Sequence, residues 1–204
     1  MSRDKFRATV KSGAGNKTEA LFKILTDYQC HEHTKGPVKP ACDKYCNLCC
    51  YQLVDATPGE IGLIWQYLKN LPYAEKKKWR GRLQRAANAW NKYISQTPRL
   101  LFPTDPIATL KGISMDWRGT PCPFLEDNGA CGIYEVRPLP CRTTTSPIRC
   151  ASSADVYDGM HALQCRYQSE QWAMELCIEE RIADDTLYAA FLIQFIARIN
   201  WREL

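Results

Sequence analysis

The sequence predicts a mainly α fold in which helices surround a cysteine-rich, metal-organised irregular core with few or short strands. Four cysteines, Cys42, Cys46, Cys49 and Cys50, fall within nine residues in CDKYCNLCC. A second series, Cys122, Cys131, Cys141 and Cys150, begins in a stretch of some fifty residues, 98–147, that is rich in proline and glycine and has no sustained period. Helical periodicity fills most of the remainder. A stretch that long is not a structureless connection in a compact domain unless something organises it, and metal coordination would do so. With 204 residues the chain suits one domain. Residues 1–150 read as a cysteine-cluster metal-binding domain with a helical insert at 57–97, and 151–204 as a helical extension packed on the same domain.

Taken in order, the first helix is predicted near Asn16, which has capping-box spacing to Glu19 and precedes Ala20, Leu21, Ile24, Leu25 and Tyr28 at helical spacing. After the first cysteines, Thr57, Pro58 and Glu60 supply cap, first-turn proline and returning carboxylate. Ile61, Ile64, Trp65 and Leu68 form the buried stripe of that helix, which Pro72 closes. From Ala74 to Gln96, Trp79, Leu83, Ala86, Trp90 and Tyr93 step by four and three, predicting a second helix antiparallel to the first across a short loop. Residues 98–147 read as loops with short strands. Beyond them, Gln164 to Ile182 is helical with Trp172 and Leu176 inside, and Asp184 or Asp185 caps a last helix through Phe191, Phe195 and Ile199.

The opening MSRDKFRATV has no signal-peptide core or cleavage site, so a cytoplasmic location is expected. Structural disulfides are rare there, and close-set cysteines are metal-binding or redox-active. Adjacent Cys49 and Cys50 would bridge each other only with strain. A net charge of +5 is mild and fits a soluble protein. No membrane span is expected, since the apolar run near Phe195 is short and interrupted by Gln194 and Arg198. Lys76, Lys77, Lys78, Arg80, Arg82 and Arg85 read first as the solvated face of a helix. Docking of an acidic protein partner or nucleic acid is the alternative. GAGNKT lacks the glycines of a phosphate loop, and three histidines support no hydrolytic triad. No residue is thereby assigned a catalytic role. Cys177 reads as a small core residue, His161 as structural, and Cys30 with His31 and His33 as a weak ligand segment.

Four thiolates suit tetrahedral zinc and equally an iron-sulfur cluster. Crowding as CxxxCxxC favours the cluster, of the four-iron, four-sulfur kind, over zinc. The expected metal ligands are Cys42, Cys46, Cys49, Cys50, Cys122, Cys131, Cys141 and Cys150, enough for two four-thiolate sites or for one site with thiols to spare. Cys165 competes with Cys150 for the last place. Buried thiolates need compensating charge, which Arg137, Arg142 and Arg149 stand close enough in sequence to give. Cys42, Cys46 and Cys49 also match the spacing of radical S-adenosylmethionine enzymes, but the chain lacks the alternating strands and helices of their barrel.

CDKYCNLCC followed by CPFLEDNGACGIYEVRPLPCR resembles the YkgJ-type cysteine-cluster proteins, described as zinc- or iron-chelating and often called iron-sulfur proteins. Its second half rests on Cys122, Pro123, Phe124, Leu125, Cys131, Ile133, Tyr134, Arg137, Pro138, Cys141 and Arg142, and the whole covers about residues 40–145. The resemblance implies a metal-binding module. A related cluster occurs in flagellin lysine methylase, so it is also compatible with a protein-modifying, methyltransferase-like enzyme. Three functions follow as expectations: a redox or electron-transfer protein, such an enzyme, or a zinc-held interaction module. All require the two cysteine regions to meet.

Overall fold

The computed structural model describes residues 2–13, 16–36, 39–43, 45–97, 106–157, 163–164, 167–183, 190–200 and 203–204. Among them the fold is mainly α, as the sequence predicts. Nine α-helices are described: α1 Arg3–Ser12, α2 Lys17–Lys35, α3 Pro58–Lys69, α4 Tyr73–Ser95, α5 Pro106–Asp116, α6 Leu139–Thr143, α7 Ser153–Tyr157, α8 Gln168–Ala183 and α9 Leu192–Arg198. Extended structure is confined to two-residue strands. β1 Asp55–Ala56 pairs antiparallel with β4 Ala190–Phe191, and β2 Thr144–Thr145 with β3 Leu163–Gln164.

Capping fixes where the predicted helices begin. Asn16 caps α2 by accepting from the Thr18 N–H at 2.9 Å, one residue earlier than a capping box with Glu19 requires. At α3 the box is complete: Thr57 Oγ1 accepts from the Glu60 N–H at 3.2 Å, and Glu60 Oε2 accepts from the Thr57 N–H at 2.6 Å. α3 ends at Lys69, and Pro72 is the residue that starts α4.

Two apolar clusters flank α3. Its Leu63 joins Phe6, Val10, Phe22, Leu25, Leu139 and Leu176, which close the space between α1, α2 and α8. Ile64 and Leu68 instead join Trp79, Leu83, Trp90, Ile193 and Ile196. The long buried face of α4 is taken mainly by α9, with α3 its neighbour through the short connection at residues 70–72.

Three expectations need correction. α1 was not foreseen because only Phe6 and Val10 mark its buried side, yet both are sealed, Phe6 edge-on to Tyr28 with ring centroids 5.4 Å apart. Residues 98–147 are not only loops and strands, for α5 and α6 lie within them. α5 has a weak pattern of its own, and tertiary packing holds it: Trp117, just beyond it, packs edge-on against Trp90 and Tyr93, and Tyr93 donates to Asp116 at 2.9 Å. The tail differs at both helices: the first starts at Gln168, since Gln164 is spent in β3, and the last starts only at Leu192, since Phe191 pairs in β4 rather than lying in a helix capped at 184 or 185. Cys165, His161, Asp184 and Asp185 lie outside the described residues. No described helix is long and apolar enough to cross a membrane.

Candidate metal centre

The first cysteine region is built from tight turns. Asp43 starts one, its side chain accepting from the Tyr45 N–H at 2.9 Å and its carbonyl from the Cys46 N–H at 3.1 Å. A 3-10 turn over Leu48–Tyr51 follows, closed by Cys50 N–H to Asn47 O at 2.8 Å. Cys46 from the first turn and Cys49 and Cys50 from the second all reach one cavity.

The second region meets the first through the backbone. Cys122 N–H donates to Cys50 O at 2.7 Å and Gly119 N–H to Tyr51 O at 3.0 Å. The chain then turns tightly, Leu125 pairs with Cys131 in a single bridge, and Gly132 N–H donates to Phe124 O at 2.8 Å. At the tip Gly129 has φ +82, and a Cβ there would stand 3.0 Å from Asn47 of the first region. Gly132 lies against Trp79, whose ring carbons an added Cβ would overlap.

Side chains of the helical insert hold this loop in place. Arg82 donates to the Leu125 carbonyl, and Lys78 pairs with Glu126 at 3.2 Å. Lys76 donates to the Lys69 carbonyl at 2.8 Å. Half of the basic run is therefore engaged within the protein. Glu60, 2% exposed, reaches past its capping box: Oε1 accepts from the Leu139 N–H at 2.7 Å and fixes the start of α6, which carries Cys141.

Cys46, Cys49, Cys50, Cys122, Cys131 and Cys141 line one cavity of about 60 Å³. Val54, Phe124, Ile133 and Leu192 give it apolar walls, and Asp43 and Arg137 its charges. Arg137 stacks on the Tyr134 ring at 3.9 Å, and its positive charge favours the thiolates of Cys49, Cys131 and Cys141. Its Nε is buried with no hydrogen-bond partner. Arg142 does not line the cavity. Its guanidinium lies 4.1 Å over the Phe22 ring, Nε donates to Arg137 O at 3.0 Å, and Nη2 donates to Glu135 O. It ties the ligand loop to α2 through Thr26, and its charge still acts on neighbouring Cys141. Arg149 is exposed, 3.9 Å from Asp43.

Burial governs the thiols. It pushes Cys122 up to about 12, Cys141 well above the usual thiol range, and Cys131 upward. Cys50 hydrogen-bonds to Cys49, which draws Cys49 down and drives Cys50 up. A cation is what would let these groups ionise together, each losing its proton as it binds. Every described cysteine is a free thiol. Among the described residues no three His, Cys, Asp or Glu are already gathered as a metal-holding group. The donor set nonetheless fits a thiophilic metal: soft sulfurs, apolar walls, and among the lining residues an arginine with an orphaned donor.

Two expected ligands stand apart from the cavity. Cys42 is exposed and accepts from the Ser146 N–H at 3.3 Å, while Cys150 is hydrogen-bonded to the Ser146 side chain. Cys30 is exposed on α2, and Cys177 packs against the α1, α2 and α8 cluster. His33 lies 3.9 Å from Glu170 and stacks near Tyr167, with no part in lining the cavity. Sequence reasoning missed the reach of Glu60, the fit of Trp79 to Gly132, and the wall residue Leu192. The capping box was the one visible signal among these.

No similar curated protein and no similar solved structure was found. A family model does match, over residues 41–177, two thirds of the chain and all eight cysteines of the two regions. The chain thus belongs to the CxxCxxCC family, described as a putative zinc- or iron-chelating domain.

Proposed function

We propose that this metal-binding protein carries an iron-sulfur cluster of the four-iron, four-sulfur kind on cysteine thiolates and serves electron transfer or redox sensing. One observation carries the reading: six thiols drawn from both regions surround a single apolar-walled cavity that has room between them. A lone zinc ion holds four sulfurs at about 2.3 Å and needs no such space. A cluster brings its own sulfides and does. Its thiolates would come from Cys46, Cys49, Cys50, Cys122, Cys131 and Cys141. When bound, the cluster supplies one-electron chemistry at a potential set by charge, hydrogen bonding and exposure. The chain's own part is to provide those settings. Arg137 offsets thiolate charge and offers its unpartnered Nε to sulfur, and Phe124, Ile133, Val54 and Leu192 exclude water. A reducing compartment such as the cytoplasm suits these free thiols.

Six cavity thiols rather than four favour one second reading, two zinc ions sharing six thiolates, as Zn₂Cys₆ modules do. Metal analysis of anaerobically purified protein separates the two. Brown protein with iron and acid-labile sulfide in equal amounts is the expected result. Colourless protein with about two zinc ions per chain would replace the cluster with the binuclear site. Protein that binds neither metal would defeat both.

A further inference from the structure

The cavity uses six of the eight thiols of the two regions and leaves Cys42 and Cys150 outside it. These two are not scattered. Ala41 N–H donates to Ser146 O at 2.7 Å, Ser146 N–H donates to Cys42 Sγ at 3.3 Å, and Asp43 faces Arg149 at 3.9 Å. Residues 41–43 and 146–150 are thereby held side by side. Ser146, 2% exposed, is the pin between them, touching Cys42 through its backbone and Cys150 through its side chain. Cys46 follows one turn after Cys42 and, ahead of Cys49, is the cavity thiol that acts most strongly on the charge of both outer thiols. Tyr45 and Ile148, 60% and 56% exposed, mark this side of the molecule as open.

We propose that Cys42, Cys46 and Cys150 form a second, solvent-facing thiol site that takes up a thiophilic divalent ion and passes it to the cavity. The proposal rests on the cavity being a metal centre. The outer site has fewer donors and more water around it, so its ion is held more loosely and exchanges faster. An ion bound there has one of its sulfurs, that of Cys46, already in common with the cavity. Transfer then proceeds by replacing one thiolate with another rather than by releasing a bare ion. Each thiol that binds gives its proton to water. On transfer Cys42 and Cys150 regain protons while cavity thiols lose theirs, and no electron moves.

Cobalt(II) tests this directly, since thiolate-to-cobalt charge transfer reports bound sulfur without any assay of activity. The metal-free full chain is titrated anaerobically, then challenged briefly with a chelator. Wild type should show a chelator-resistant fraction and a labile fraction. The Cys42→Ser/Cys150→Ser double variant should keep the resistant fraction in full, lose the labile one, and fill the cavity about tenfold more slowly. Cys150→Ser alone should give the same direction, and far-UV circular dichroism checks that each variant is folded. Wild-type labile binding and filling rate in the double variant would overturn the proposal. Loss of the resistant fraction would also overturn it, by making the outer thiols part of the cavity centre. Resistant cobalt with no labile fraction in wild type sinks only the outer site, whereas no thiolate-bound cobalt at all sinks the cavity reading with it.

Discussion

The two cysteine regions arrive at the same cavity by different means. Residues 122–141 are held by the protein around them: Glu60 grips the start of α6, Trp79 lies on Gly132, Arg82 takes the Leu125 carbonyl, and Arg142 binds the loop to α2. Residues 45–51 have short local turns and otherwise lean on their neighbours, through Cys122 to Cys50, Gly119 to Tyr51 and packing against α7. One half of the centre is scaffolded, and the other is completed by what it surrounds. A metal should therefore order the first region more than the second.

Metal removal is the strongest way to test that difference. After chelation, backbone amides of residues 46–51 should lose protection from hydrogen exchange by about a hundredfold or more, while α6 and residues 122–136 keep most of theirs. Equal opening of both would end the contrast. Next in size, Glu60→Ala strips the acceptors from the part-buried Thr57 and the buried Leu139 N–H groups and should cost about 3 kcal/mol, read as a lower denaturant midpoint. Gly132→Ala drives a methyl into the Trp79 ring and should cost about 2 kcal/mol. Pairing it with Trp79→Leu should recover part of that loss, and strictly additive costs would place the clash elsewhere.

The smallest effect concerns pH in the metal-free chain. Burial raises Cys122 to about 12 and Cys141 well upward, so the fold favours their neutral forms. Their contribution is complete below the unfolded thiol value of about 8.5 and is lost as pH rises toward 12. Denaturation midpoints of metal-free protein should thus fall between pH 8.5 and 10.5, less so in Cys122→Ala, and a flat profile would show that these thiols are not buried. Metal loading has the opposite sign, weakening as pH falls because protons compete for sulfur.

What could be read in advance was whatever is local. The cap of α2, the box of α3 and the period of α4 each lie within a few turns of chain, and the thiols announce themselves by spacing. What stayed hidden depends on partners far apart in sequence. Glu60 and Leu139 are separated by 79 positions, so the second use of that carboxylate leaves no local trace. Arg137 and Arg142 look alike in CPFLEDNGACGIYEVRPLPCR, yet one stacks on Tyr134 and lines the thiol cavity while the other lies over Phe22 and does not. α1 carries too few apolar positions to declare itself, and α5 has apolar residues without a one-sided period; Tyr28 covers the first, and Ile113 seats the second in the core cluster of α4.

Leu192 bears on where this unit can be cut. Its N–H donates to Val54 O at 2.8 Å, extending the short pairing of β1 with β4, and its side chain is one wall of the thiol cavity. The family match stops at residue 177, before that wall is built. A fragment trimmed to the match would carry every cysteine of both regions and still leave the cavity open to water on the α9 side. In this chain the stretch that relatives share is shorter than the stretch that must be transplanted together, and a working graft has to bring the last helix with it.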